Sequence, residues 1–290
     1  MPQEIAYING RFCPPREAMV SIEDRGFHFS DGIYEVVAAH HGRPFRLPQH
    51  MARLRESVRG LDLPFDPDAY GLERVIHEGL ARSGFDHTLV YLQITRGVFP
   101  RQHVCQVALE PTVVATFKPM PPVPADRIEK GVSVKTAEDI RWSKCYIKAI
   151  SLLPNVLIKN QAVREGFFDA LLVTSSGDVR ESCSSNVFLV KDGVVRTPPA
   201  DEHILHGITR GFILECAAEL GLPTRETRIP EPELFTADEV FFTATTYNVM
   251  PITRINNRPI ANGRPGPMTR QLYEYAAQVI DELSRVAAVA

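Results

Sequence analysis

The stretch DIRWSKCYIKAISLLPNVLIKN, Asp139–Asn160, changes character at Lys148. Before it, Ile140, Trp142 and Ile147 carry β-prone side chains and predict a strand. After it, Ile150, Leu153 and Leu157 recur at spacings of three and four and predict a helix. A lysine at such a changeover can be partly desolvated, which lowers an amine's pKa toward nucleophilic use. Lysines at strand ends are more commonly solvated surface charges, so the meaning of Lys148 depends on what surrounds it.

With 290 residues, 44% hydrophobic and 23% charged, the chain has the composition of a globular protein long enough for two domains. A formal net charge of −3 gives no reason to expect nucleic acid or an anionic membrane as partner. No apolar run approaches the ~18 residues of a membrane span, and MPQEIAYINGRF lacks the basic-then-apolar pattern of a secretion signal. Five dispersed cysteines without a CxxC pair predict free thiols in a reducing, cytoplasmic compartment and argue against a zinc site.

Outward from Lys148, Ile5 to Phe12 alternate around Asn9-Gly10, a hairpin signal. AAHHGRPFRL predicts two strands turning at His41-Gly42. LPQHMARLRESVRGL places Met51, Leu54, Val58 and Leu61 on one helical face, and a second helix is predicted over Pro67 to Arg82 with Leu72, Val75, Ile76 and Leu80 inward. HTLVYLQITRG and PTVVATFKP predict strands around the loop GVFPRQHVCQ. KPMPPVPAD, Lys118 to Asp126, favours extended chain and marks a boundary. This gives a small α+β domain over 1–119, a linker over 120–126 and a larger domain over 127–290. In the latter, FDALLVT, Val187 to Val190, VVRTP, EVFFTAT and VMPITRI predict strands. A helix is predicted near Thr209, with that residue as N-cap and Gly221 as its end, and another from about Met268 to Val286. Antiparallel pairing is expected in both domains.

Nucleotide loops of the GxGxxG or GxxxxGK[ST] type, HExxH metal pairs and the GxSxG elbow are all missing from the sequence. Four polar groups remain beside Lys148. LHGITR, Leu205 to Arg210, offers backbone N–H groups at a helix start, suited to phosphate, though ordinary helix starts look the same. Thr243, Thr245 and Thr246 could donate hydroxyls, or simply form a polar strand face. Arg53 borders an apolar helix face and could reach an anion or only snorkel. Glu181, in RESCSSNV, is an acid among small residues. A pyridoxal phosphate enzyme needs a lysine, an acid facing the pyridine nitrogen and phosphate donors, and these groups would supply them.

Together the motifs YING, EDRGFHFSDGIYEVV, HMARLRES, YLQITRG, DIRWSKCYIK, ESCSSNVF, ILHGITR and FFTATT resemble, in order and spacing, the class IV (fold type IV) pyridoxal phosphate aminotransferases. The resemblance implies a two-domain α+β / α/β fold with a small N-terminal domain and a larger C-terminal pseudo-barrel domain. It implies Lys148 as the Schiff-base lysine, Glu181 as partner of the pyridine nitrogen, and Arg53, Ile208, Thr209 and Thr245 as phosphate ligands. Ser184 and Ser185 support that side of the cofactor. Lys159 is a rival lysine outside the motif.

Within the family, the D-amino-acid transaminases resemble this chain in carrying Arg-x-His after the TRG strand, here Arg101-Gln102-His103. With Tyr34 the resemblance makes these a trap for the substrate α-carboxylate, a role suited to a guanidinium fork. Tyr91 lines the site near the lysine. The same resemblance implies a homodimer in which this loop crosses the interface, and transfer of an amino group from a D-amino acid to 2-oxoglutarate or pyruvate. Tyr247 and Asn248 depart from the family's smaller residues and are expected to narrow the side-chain pocket. Branched-chain L-aminotransferases, (R)-amine transaminases, aminodeoxychorismate-lyase-like enzymes and a catalytically silent pyridoxal-binding homologue are the rival readings.

Overall fold

In the computed structural model, which describes residues 1–286, Asn9 and Gly10 take φ of 43° and 92° and turn Ile5–Ile8 (β1) back onto Arg11–Cys13 (β2). The chain divides into two compact units that interleave along the sequence. The first holds Met1–Pro121, Ile147–Ser151 and the chain from Ile280 onward; the second holds Pro122–Tyr146 and Leu152–Val279.

The first unit continues with Arg25–Phe29 (α1), Gly32–His40 (β3), Arg43–Pro44 (β4), Leu47–Gly60 (α2), Pro67–Tyr70 (α3), Leu72–Ser83 (α4), His87–Thr95 (β5) and Thr112–Pro119 (β6). Its sheet runs β2-β1-β6-β5-β3-β4, with every neighbouring pair antiparallel. Met51, Leu54 and Val58 of α2 and Leu72, Val75, Ile76 and Leu80 of α4 are buried, as their spacing predicts. The single helix expected over 67–82 is two: Gly71 at φ 76° breaks the ladder, and Asp66 caps the first piece by accepting from the N–H groups of Asp68 and Ala69.

The second unit comprises Ala125–Lys130 (α5), Val132–Glu138 (β7), Leu153–Arg164 (α6), Asp169–Val173 (β8), Asp178–Ser182 (β9), Asn186–Lys191 (β10), Val194–Thr197 (β11), Ile208–Glu219 (α7), Thr224–Glu226 (β12), Ile229–Pro230 (β13), Glu231–Leu234 (α8), Glu239–Ala244 (β14), Asn248–Ile255 (β15) and Arg258–Pro259 (β16). Pro267–Val286 (α9) ends the described chain, and its last residues count with the first unit. The sheet order is β12-β11-β10-β14-β15-β7-β8-β9-β13, with β16 on β15. It is mixed, not antiparallel as expected: β7 lies parallel to both β8 and β15, and β12 is parallel to β11. β7 and β9 are strands that the sequence reading did not assign. The core between sheet and helices is filled by Val134, Leu171, Val187, Leu189, Val240, Phe242 and Met250, among others.

The stretch 139–147, expected as a strand, is irregular. Its polar groups are drawn off by local contacts: Arg141 Nε donates to Asp139 Oδ1 at 2.9 Å, and the Cys145 thiol to Trp142 O at 3.1 Å. Ile140 and Trp142 are exposed. In α6 the buried residues are Ile158 and Ala162, whereas Leu153 and Leu157 of the expected apolar face are exposed in this chain.

Candidate active site

Lys148 lies in the five-residue segment Ile147–Ser151 that the first unit takes from the middle of the chain. Buried Ile147 and Ala149 flank it, so the lysine side chain leaves on the face opposite its neighbours. Backbone bonds seat the segment beside β3: Tyr34 N–H donates to Lys148 O at 2.9 Å, Ile150 N–H to Gly32 O at 3.0 Å, and Ala149 bridges Ile33. Lys148 N–H also donates to Ser57 Oγ of α2 at 3.0 Å. The changeover expected at Lys148 is therefore a strand-edge segment, five residues ahead of the helix.

Lys148 Nζ stands 4.2 Å from the centre of the Tyr34 ring, and Tyr34 stacks on Tyr91 at 5.8 Å. These aromatic faces favour a cation. Tyr91 donates to Gln93 Oε1 at 2.6 Å, and burial raises its pKa to about 12. The structure thus brings Lys148, Tyr34 and Tyr91 together.

Arg53 does more than snorkel. It is buried in α2 and forks onto Glu35 of β3, Nε to Oε1 at 2.8 Å and Nη2 to Oε2 at 2.7 Å. His50 Nδ1 lies 2.8 Å from the same Oε2. Burial alone would raise the Glu35 pKa, but Arg53 and His50 hold it well below the usual carboxylate range. Burial, with the charges of Arg53 and Lys148 pressing the same way against the pull of Glu35, lowers that of His50. Sequence reasoning missed Glu35 and His50; the signal was an acid on the core-facing side of an alternating strand.

Arg101 and His103 meet at Phe29: the guanidinium is 5.3 Å from that ring and the imidazole 5.4 Å. Arg25 positions their loop by donating from Nη1 to Gln102 O at 2.7 Å and from Nη2 to His103 O at 3.1 Å. Asp31 holds Arg25 (2.8 Å) and Arg96 (2.9 Å) in turn.

In the second unit, Glu181 lies buried near the end of β9. It pairs with Arg141, accepts from Asn186 Nδ2 at 2.9 Å, and accepts from Leu205 N–H at 3.2 and 3.3 Å. Burial pushes its pKa up; Arg141 and the Leu205 N–H pull against that. Arg141 and Asn186 were not singled out by the sequence reading, although both sit inside its motifs. Asn186 also donates to Leu205 O at 2.9 Å and faces Thr243 across the β10–β14 ladder. The Thr243 hydroxyl is buried without a hydrogen-bond partner.

The α7 N-cap is Gly207, not Thr209, and no side chain caps the helix. A Cβ at Gly207 would lie 2.0 Å from Asn186 Oδ1, so only glycine lets the turn approach this closely. Ile208 and Thr209 occupy the first helical positions, where N–H groups lack intrahelical partners. Thr245 is half-buried in the β14–β15 turn. Ser185 Oγ meets the Tyr247 hydroxyl, and the Tyr247 ring packs against Phe168 and the core. Tyr247 thus fills the second unit's interior. Lys159, the rival lysine, is held by buried Asp169 at 2.9 Å and by Ser184 at 3.0 Å.

The family model for amino-transferase class IV matches residues 32–255. The chain belongs to the class IV aminotransferases. Among curated proteins, a class IV relative named D-alanine aminotransferase from Bacillus licheniformis is 41% identical over 268 residues, 91% of this chain and 93% of its own. The D-alanine aminotransferase of Listeria monocytogenes is 37% identical over 281 residues, 96% of each chain. Among solved structures, a branched-chain amino acid aminotransferase with pyridoxamine 5′-phosphate superposes with a TM-score of 0.89 at 26% identity, covering 99% of this chain and 97% of that one. The branched-chain aminotransferase of Thermoproteus uzoniensis gives 0.86 at 25% identity, over 98% and 96%. The fold is that of the type IV aminotransferases.

Class IV aminotransferases use pyridoxal 5′-phosphate, and the chemistry here fits that cofactor. The second unit offers a buried carboxylate, an uncapped helix start beside a glycine and an unsatisfied buried hydroxyl. The first offers an amine over the Tyr34 ring, which stacks on Tyr91, and a buried arginine.

Proposed function

We propose that this aminotransferase moves an amino group from a D-amino acid to a 2-oxo acid, 2-oxoglutarate or pyruvate, in two half-reactions on one pyridoxal phosphate. The observation that carries the reading is the near full-length identity with proteins named D-alanine aminotransferase. The Arg101–His103 loop, held in place by Arg25, agrees with it.

When bound, pyridoxal phosphate supplies an aldehyde carbon for an amine and a protonated ring that accepts the electron pair left at Cα. Lys148 would be the residue that holds the cofactor covalently, through Nζ. As a free amine, the same Nζ would hold and move the proton at the substrate's Cα. Glu181, paired with Arg141, would hold the proton on the ring nitrogen. Arg53, the N–H groups of Ile208 and Thr209, and Thr245 take the phosphate, with Ser184 and Ser185 supporting that side. Tyr34, Arg101 and His103 hold the α-carboxylate, and Tyr91 lines the site near Lys148. In this reading the Arg101–His103 loop serves a second copy of the chain, which makes the protein a homodimer. The five free cysteines agree with a reducing, cytoplasmic setting.

The test mixes holoenzyme separately with D-alanine, D-glutamate, L-glutamate, L-leucine and (R)-1-phenylethylamine and follows loss of the cofactor's visible band. Rapid loss with the D-amino acids, slowed on the order of 100-fold in Arg101→Ala, is expected. Loss only with L-leucine or the amine would overturn the D-amino-acid reading and leave the family intact.

A further inference from the structure

The end of the β3–β4 hairpin gathers three histidines and two aspartates that play no part in the site above. His41 and Gly42 form its turn at φ 51° and 71°, and Gly42 N–H donates to Asp86 O at 3.0 Å. His40 is the register partner of His87, so the ladder fixes which side chains meet. His41 Nδ1 lies 3.1 Å from Asp86 Oδ1, and His87 Nε2 lies 3.1 Å from Asp86 Oδ2. One ligand atom from each of the three residues falls within 4.8 Å of the others.

We propose that His41 Nδ1, the Asp86 carboxylate and His87 Nε2 bind a first-row divalent transition metal, zinc in the first instance, which staples the hairpin turn to the start of β5. Metal–ligand bonds of about 2.0–2.1 Å around a tetrahedron set the ligands roughly 3.3 Å apart, close to the two nitrogen–oxygen separations of 3.1 Å. Two imidazoles among three ligands select zinc, copper, nickel or cobalt over magnesium and calcium, which favour all-oxygen shells. The outer shell is in place as well. His41 Nε2 lies 3.3 Å from Asp281 Oδ1, and Arg285 Nε donates to that oxygen at 2.8 Å. A carboxylate behind a histidine fixes its tautomer and raises its basicity as a ligand. His41 and Asp86 are 45 positions apart, so no sequence motif announces the cluster.

Chelator-treated holoenzyme would be titrated with zinc chloride in a calorimeter. Saturation at one equivalent per chain is expected, weakened at least tenfold in His87→Gln and on the order of 10–100-fold in Asp281→Asn. Zinc should also raise the thermal midpoint of the wild type but not of the His41→Gln/His87→Gln double variant. Because a variant can lose its fold, cobalt chloride is added to the wild type in parallel. Visible bands of a four- or five-coordinate imidazole site are expected. A spectrum unchanged from aqueous cobalt, no stoichiometric zinc binding, or undiminished binding in a folded double variant would overturn the site.

Discussion

Glu35 shows how much of the proposed anion site rests on residues that would touch no anion. Its carboxylate takes two of the five N–H donors of Arg53 and fixes the guanidinium plane between β3 and α2. Glu35→Gln would remove the carboxylate that pairs with the buried Arg53. We expect a loss of about 3–5 kcal/mol of stability, read as a lower thermal midpoint, together with weaker retention of pyridoxal phosphate. An unchanged midpoint would show that Arg53 finds a different partner. At this scale the sequence was legible where chemistry is concentrated in a short motif. Lys148, Glu181 and Arg53 stand in short motifs that mark them as candidates, and their roles come from the resemblance those motifs carry together. Their supports carry no such mark: Glu35 meets Arg53 across 18 positions, and Arg141 meets Glu181 across 40. Those distances close only in the folded chain, Arg53 reaching in from α2 and Arg141 from an irregular stretch, which side-chain pattern alone does not fix.

Among the elements, the loop between β5 and β6 is where the proposed recognition and the architecture meet. Arg25 of α1 clamps the carbonyls of Gln102 and His103 and is itself held by Asp31. Arg25→Ala would release the loop without altering Arg101 or His103. The expected result is a fall of about 10–100-fold in kcat/KM for the amino donor, carried by KM, since misplacement of a positioning group costs that much. A fall confined to kcat would place Arg25 in the chemistry instead. Strong periodicity made α2 and α4 legible, as it did the hairpin at Asn9-Gly10. It failed where a single backbone angle decides, as at Gly71, and where a segment pairs by location alone. β7 is a strand because β8 and β15 lie on either side of it. The stretch 139–147 has similar side chains but no ladder to join.

For the molecule as a whole, acid should be more damaging than the net charge of −3 suggests. The folded His40 pKa is depressed from 6.5 to about 4, so between these values the unfolded chain binds a proton that the folded one refuses. The stability it provides is therefore full above about pH 6.5 and is lost as pH falls through the folded value. Glu35, whose folded pKa is also depressed, adds a second loss below its ordinary value of 4.5. Denaturant unfolding of the apo chain should weaken steadily from pH 7 to pH 4. His40→Gln should flatten the upper part of that slope, and an identical slope in the variant would rule His40 out as its source.

The interleaving of the two units has a consequence for biosynthesis. When the first 121 residues have left the ribosome, the opening residues of β3 still lack the neighbour that Lys148, Ala149 and Ile150 will provide, and Asp281 is not yet made. The N-terminal unit therefore stays unfinished while the second unit is made. The segment bearing the candidate catalytic lysine reaches it first, and the stretch that carries Asp281 only after residues 152–279.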